Sequence, residues 1–311
     1  MTIRQNKREY MSRMLVLQAT IFILMALGFF FKKKKIISRE GQKNITDLVI
    51  YLILPCNIIT SFLSELPGDA MAAALQILLI SLVIQIIAVI YGKVLFAREG
   101  EDRKKCLRYG IICSNAGFLG SPVAEGIFGA GGLMLASVFL IPVRTMMWSE
   151  GIAIFTKETD IRATVKKVAT HPCIIACVIG MLLMLTGAQV PAVILTPVQT
   201  IGRCNLAMSM MVIGMILAEI DPRTLWDPVV GIYTLHRLII IPALVMLVLH
   251  FLPVDPTVKG VSILLTAMPA GSTTSMLAAK YDVDPQFATK MVVFSTLLSI
   301  PAILIWSIIL V

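Results

Sequence analysis

Apolar runs long enough to cross a bilayer recur along nearly the whole chain, separated by short polar links. Ten spans can be drawn, at about 13–31, 46–63, 70–92, 107–127, 131–155, 172–187, 197–218, 228–250, 258–279 and 288–311. A hydrocarbon core ~30 Å thick needs roughly 20 helical residues per crossing. Backbone polar groups have no water there, so spanning segments are helices or closed barrels. The alternating ~10-residue strands of an outer-membrane barrel are absent. Composition agrees: the chain is 58% hydrophobic and 14% charged, against about 25% charged in soluble domains. The sequence therefore predicts an all-α integral membrane protein with about ten transmembrane helices and no room for a soluble domain. The sixth span is short and must extend or tilt. The first ends in "FFFKKKK" rather than in a small-residue cleavage site, which predicts a retained helix, not a signal peptide.

The net charge of +9 does not imply a nucleic-acid partner, because the basic residues lie in loops between spans. Lys32 to Lys35, Arg39 and Lys43 follow span one; Lys93, Arg98, Arg103, Lys104, Lys105 and Arg108 follow span three. Lys157, Arg162, Lys166 and Lys167 follow span five, Arg223 follows span seven, and Lys280 and Lys290 flank the last link. The opposite side holds only the basic N-terminal tail and Lys259. By the positive-inside rule this places both termini outside, in a multi-pass plasma-membrane protein of the bacterial inner-membrane kind. The basic N-terminal tail is a local exception. The six Cys (Cys56, Cys106, Cys113, Cys173, Cys177, Cys204) fall in or beside spans, form no C-x-x-C pair and imply no disulfide.

The longest charged link, "TKETDIRATVKKVATHP" (156–172), divides the spans five and five. It suggests a first five-helix repeat over 1–155, a cytoplasmic linker over 156–171 and a second repeat over 172–311. An odd number of spans per half inverts the second half. The halves echo each other: "IPVRTMMWS" (141–149) ends span five and "IPAILIWS" (300–307) lies in span ten. Cys56-Asn57 in span two matches Cys204-Asn205 in span seven. Inverted repeats are characteristic of secondary transporters.

Spans four and nine carry helix breakers at their centres. Span four contains "SNAGFLGSP" (114–122), with Asn115, Gly117, Gly120 and Pro122. Span nine contains "AMPAGSTTSMLAAK" (267–280), with Pro269, Gly271, Ser272, Thr273, Thr274 and Ser275. Proline removes a donor and clashes with the preceding turn; glycine adds backbone freedom. A break at membrane depth is tolerated where it is buried in protein or lines a wet cavity. The half-helix after each break begins with unpaired N–H groups and a positive dipole end, which suit an anion. The half-helix before it ends in free carbonyls, which suit a cation or a donor. Asn115 offers both a donor and an acceptor.

"SNAGFLGSPVAEGIFG" and "AMPAGSTTSMLAAKYDVDPQFATKMVVFSTLLSIPAI" resemble the fourth and ninth helices of the auxin efflux carrier family, which includes plant PIN-FORMED proteins and bacterial malate or malonate permeases. "LVIYLILPCNIITSFL" of span two and "NLAMSMMVIGMILAEI" of span seven are similar too. The resemblance covers essentially the whole chain. It implies a 5+5 inverted repeat, two helices that cross at their unwound centres, an elevator motion of one domain against a scaffold, and a homodimer. The wider fold is shared with sodium–bile acid symporters. Asn115, with Gly120 and Pro122 behind it, matches the first crossover, and Pro269 and Gly271 match the second. Ala270 stands where plant members have Gln, Thr274 stands where they have a second Pro, and their long central loop is missing. These departures point away from auxin and toward a bacterial-type carboxylate permease.

Three arginines sit inside spans: Arg144, Arg203 and Arg237. Such residues usually face the interior or an aqueous path and have partners. Arg203, two residues before Asn205, is a candidate for bidentate carboxylate binding. Asn57, Asn205 and Ser272 complete the candidate substrate set. Glu125 and Glu150 are candidates to carry protons or to pair with the arginines, and Arg144 and Arg237 are candidates for coupling or ion pairs. His236 suits a bundle hydrogen bond as well as a proton relay. The stripe "MSMMVIGM" (208–215) suits adaptable packing.

The function these features predict is secondary transport of a small organic anion, such as malate or malonate. The cluster 272–275 lacks a carboxylate, which ranks proton coupling or uniport ahead of the sodium coupling of the bile-acid type. A channel would need a repeated filter-like segment. An enzyme would need a convergent set such as H-E-x-x-H or G-x-S-x-G, and ATP-driven pumping a Walker motif; none occurs. No metal or cofactor is expected.

Overall fold

The computed structural model describes residues 3–63, 70–156, 162, 165–166, 169–218 and 226–310. Much of the expected linker 156–171 lies outside the described residues, as do Lys157, Lys167 and Arg223 of the charge pattern. Among the described residues the chain is helical, and the sole β pairing is one isolated bridge between Ser114 and Ala270. Among the described residues, six helices are long and apolar enough to cross a membrane: Arg39–Phe62 (α2), Ala70–Leu95 (α3), Ala116–Phe155 (α5), Ala192–Ala218 (α7), Pro228–His250 (α8) and Pro285–Ile309 (α11). Between them lie α1 (Ile3–Lys33), α4 (Glu101–Ile112), α6 (Pro172–Thr186), α9 (Pro256–Thr266) and α10 (Thr273–Lys280).

Helix α5 runs 40 residues, about 60 Å if it were straight and twice a membrane's core. It is not straight. Gly129, at φ 69° and ψ −160°, turns the chain back, a conformation open to glycine. Beyond the turn, Gly132 lies so close to the Ala124 carbonyl and the Phe128 side chain that no Cβ would fit. The first arm of α5 thus carries the continuation of the first break, and the second arm carries Arg144.

Proline punctuates the helices in two ways. Asp227, Asp255 and Asp284 each precede a proline and accept hydrogen bonds from the opening amides of α8, α9 and α11. Aspartate caps the first turn, and proline follows where no N–H is needed. Inside helices, three π-turns precede a proline: Val49–Ile53 before Pro55, Ala116–Gly120 before Pro122 and His236–Ile240 before Pro242. A proline ring clashes with the carbonyl four residues back. Widening that turn moves the carbonyl aside, and Leu54, Ser121 and Ile241 then donate five residues back. Such turns often mark functional positions; one of these opens the first break.

Among the described residues three apolar clusters fill the interior, the smallest of them Leu249, Ile263, Ala267 and Trp306; the two larger ones flank the breaks. One joins α1, α2, α3, the arms of α5, α6, α7 and α9, and includes Ala116 and Met268. The other joins α3, α4, α8 and α11, and includes Cys113 and Ala270. The breaks lie where the two meet. Helices α1 and α7 approach backbone to backbone: a Cβ on Gly28 would overlap the Met211 carbonyl, and one on Gly214 the Met25 carbonyl. Small residues drive such close crossings in lipid. Gly214→Leu is expected to destabilise the protein by at least the ~1–3 kcal/mol of ordinary overpacking, because backbone rather than a movable side chain is in the way. A lowered thermal midpoint in detergent would show it; an unchanged midpoint would mean that α1 shifts freely on α7.

Candidate functional site

The two breaks satisfy each other. Helix α4 ends at Ile112, and Cys113 turns extended at φ −112° and ψ 96°. Asn115 N–H donates to the Pro269 carbonyl at 2.8 Å, and Gly271 N–H donates to the Cys113 carbonyl at 3.0 Å. These two bonds form the Ser114–Ala270 bridge. Ala270 N–H donates to Ser295 Oγ on α11 at 3.2 Å. Packing is tight: a Cβ on Gly120 would stand 2.7 Å from Leu265 Cδ2, and one on Gly271 3.2 Å from the Cys113 oxygen. Pro122 and Pro269 are buried.

The carbonyl ends of the half-helices are occupied by side-chain donors, one of the two kinds of partner expected there from the sequence. Arg237 of α8 donates from Nε to the Met268 carbonyl at 2.9 Å and from Nη1 to the Ile111 carbonyl at 3.1 Å. Tyr233 Oη donates to the Gly110 carbonyl at 2.9 Å. The guanidinium, 5% exposed, therefore lies at the negative ends of both α4 and α9, where a cation is favoured. Sequence reasoning singled out Arg237 but not this role, and Tyr233 and Ser295 were missed. Their only signal would have been polar groups on spans packed against both breaks.

The amino ends remain open. Among the described residues, Ala116, Gly117 and Phe118 have no backbone acceptor for their N–H groups, nor do Ser272 and Thr273 at the second break. The Asn115 side chain is half-buried and makes no hydrogen bond among the described residues. Ser272 is partly buried, and its carbonyl accepts from Ser275 Oγ at 2.9 Å. Each half-helix that follows a break thus begins with N–H donors that lack a backbone acceptor among the described residues.

Asn57 and Asn205 form a second cluster, around Glu125. Asn57 Nδ2 donates to Glu125 Oε2 at 2.7 Å. Asn205 approaches the same carboxylate and accepts from Ser209 Oγ at 3.2 Å. Gly202 makes the meeting possible, since a Cβ there would stand 3.0 Å from Asn57 Cα. The structure brings the echoing asparagines onto one acid of the helix that follows the first break.

Other candidates lie apart from these clusters. Arg203 is exposed at the junction within α7. Glu150 meets Lys93 and Arg108, each at 3.6 Å, and among the described residues it pairs with none of the membrane arginines, one of the roles considered for it; pairs this open to solvent contribute little. His236 hydrogen-bonds Tyr91. Of the methionine stripe, Met210 and Met215 are buried in packing. Arg144 is 7% exposed and lies against Gly117, beside the first break. Burial and the Arg144 charge push His171, which precedes α6, down to about 4, so it is neutral at physiological pH.

A family model described as a membrane transport protein matches residues 14–165 and 161–307. An uncharacterized transporter of Methanocaldococcus jannaschii is 26% identical over 305 residues, covering 92% of this chain and 95% of the relative. One from Methanothermobacter thermautotrophicus is 24% identical, covering 94% and 96%. The uncharacterized transporter YfdV of Escherichia coli is 22% identical, covering 89% and 91%.

Proposed function

The chain belongs to the membrane transport protein family, the auxin efflux carrier family, and from that premise we propose that it is a secondary transporter of a small organic anion, a carboxylate such as malate or malonate. The observation that carries this is the pairing of the two breaks, which spends their carbonyls on Arg237 and leaves amides and Asn115 unspent. A carboxylate is an acceptor without donors and fits such a site. The breaks are the crossing centres of spans four and nine in a ten-span, 5+5 inverted repeat. Reciprocal packing supports the repeat: span one meets span seven through Gly28 and Gly214, and span two meets span six through Phe62 and Gly180. Likewise Ser81 of span three donates to the Phe139 carbonyl of span five, and Trp306 of span ten donates to the Leu238 carbonyl of span eight.

The protein resides in the plasma membrane as a dimer with both termini outside. Arg103 meets Asp227 at 3.4 Å and Asp284 at 3.6 Å, which supports the grouping of three links assigned to the cytoplasmic side on one face. Transport is an elevator motion of the broken helices against a scaffold. Glu125, bonded by Asn57, carries the coupled proton.

Uptake of radiolabelled malate and malonate into proteoliposomes, with and without a proton gradient, tests this. Saturable uptake accelerated by the gradient is expected. Glu125→Gln keeps an acceptor for Asn57 and should retain exchange while losing the response to the gradient. Gradient-driven uptake unchanged in that variant would remove Glu125 from coupling, and a sodium requirement would replace proton by sodium. Folded protein that moves no carboxylate would overturn the anion assignment.

A further inference from the structure

We propose that Arg144 is the fixed cation that receives the substrate's carboxylate, pressing it against the open amides of the first break. This rests on the organic-anion function above and names the residue that selects for charge. Arg144 projects from the second arm of α5 with only 7% of its surface exposed, and its Nη1 is buried without a hydrogen-bond partner among the described residues. Among the described residues it makes no ion pair. The two acids the sequence offered as partners for the arginines are engaged elsewhere: Glu125 accepts from Asn57, and Glu150 meets Lys93 and Arg108. An arginine stays charged at any physiological pH, and a buried charge within a membrane ordinarily has a partner. Arg237, equally buried, has spent its donors on two carbonyls; Arg144 has not.

The guanidinium is aimed at the break. A Cβ on Gly117 would lie 3.5 Å from Arg144 Nη2, so the cation borders the backbone at the missing side chain. Gly117 N–H is one of the three opening amides without a backbone acceptor. A carboxylate between them would accept from the guanidinium on one side and from amides on the other, a charge-assisted arrangement stronger than neutral hydrogen bonds. Leu140, one turn before Arg144, also borders Gly117, 3.7 Å from the same Cβ position, and supplies an apolar wall for the carbon skeleton. The remaining groups in the field of Arg144 are His171, neutral at physiological pH, and the thiols of Cys173 and Cys177. None competes as an anion in its thiol or neutral imidazole form.

The test uses full-length protein with malonate as probe. Arg144→Gln should raise the apparent KM for malonate at least tenfold and abolish the thermal stabilisation that malonate gives the parent. Its ligand-free thermal midpoint should stay level or rise, because an unpartnered buried charge is removed. Arg144→Lys should recover part of the affinity, since it restores charge without the planar fork. A Gln variant with the parental KM and parental malonate stabilisation would overturn the assignment while leaving the carrier function standing. So would a lowered ligand-free midpoint in Gln and Lys variants with unchanged KM, which marks a structural arginine. Folded parent that neither binds nor transports any carboxylate would overturn both.

Discussion

Replacing Asn115 with alanine should lower kcat/KM for the transported anion about 10- to 100-fold while leaving the protein as stable as its parent, the range expected for losing a hydrogen bond to a charged group. The two halves of that expectation come from different atoms. The backbone N–H of residue 115 holds the second break through Pro269, and alanine keeps it. Asn115 sits at φ −78° and ψ 31°, a negative-φ conformation that alanine can adopt. The side-chain amide makes no bond within the described fold, so its removal orphans nothing. Its loss is felt when a ligand needs it. Substrate-dependent flux in proteoliposomes, beside a thermal midpoint in detergent, separates these contributions. Full flux in inserted Asn115→Ala protein would make the first break a purely structural feature. Loss of both flux and stability would mean that the amide supports the bridge.

The positions of both breaks were legible in the sequence because their cause is local. Asn115, Gly120 and Pro122, or Pro269 and Gly271, disfavour a helix wherever they stand. The meeting of Asn57 with Asn205 was legible only as an echo between halves; that both converge on Glu125 depends on how α2, α5 and α7 pack. Arg203 was singled out for its nearness to Asn205 in the chain. Arg203 falls in the turn between Gly202 and Asn205, where its side chain is exposed while Asn205, which opens the next helical segment, is buried. Arg144 and Arg237 looked alike in sequence, each a single cation in an apolar span. Their difference is long-range: one donates to the carbonyls of Ile111 and Met268, residues 126 and 31 positions away, and the other makes no ion pair among the described residues and borders Gly117. Spacing along one span carries no signal for that.

Arg237→Leu should have the opposite signature to Asn115→Ala: it should cost stability first. Its removal leaves the Ile111 and Met268 carbonyls without their donors inside the protein, and each buried unsatisfied group costs about 1–3 kcal/mol. Two such losses weigh heavily against a typical folding stability of about 5–15 kcal/mol. Leucine does recover the desolvation of the charge, so the net effect measures how far the carbonyl ends of α4 and α9 depend on a cation. Arg237→Lys retains charge but cannot reproduce the fork that reaches both carbonyls, and should fall between parent and Leu. Yield of monodisperse protein and the thermal midpoint read this directly, alongside Arg144→Gln, whose midpoint should not fall. Two arginines of near-equal burial would then respond in opposite directions because one holds the breaks together and the other faces what passes between them. An Arg237→Leu protein as stable as its parent and deficient only in transport would instead place Arg237 on the substrate's path and leave the pairing of the breaks to the bridge alone.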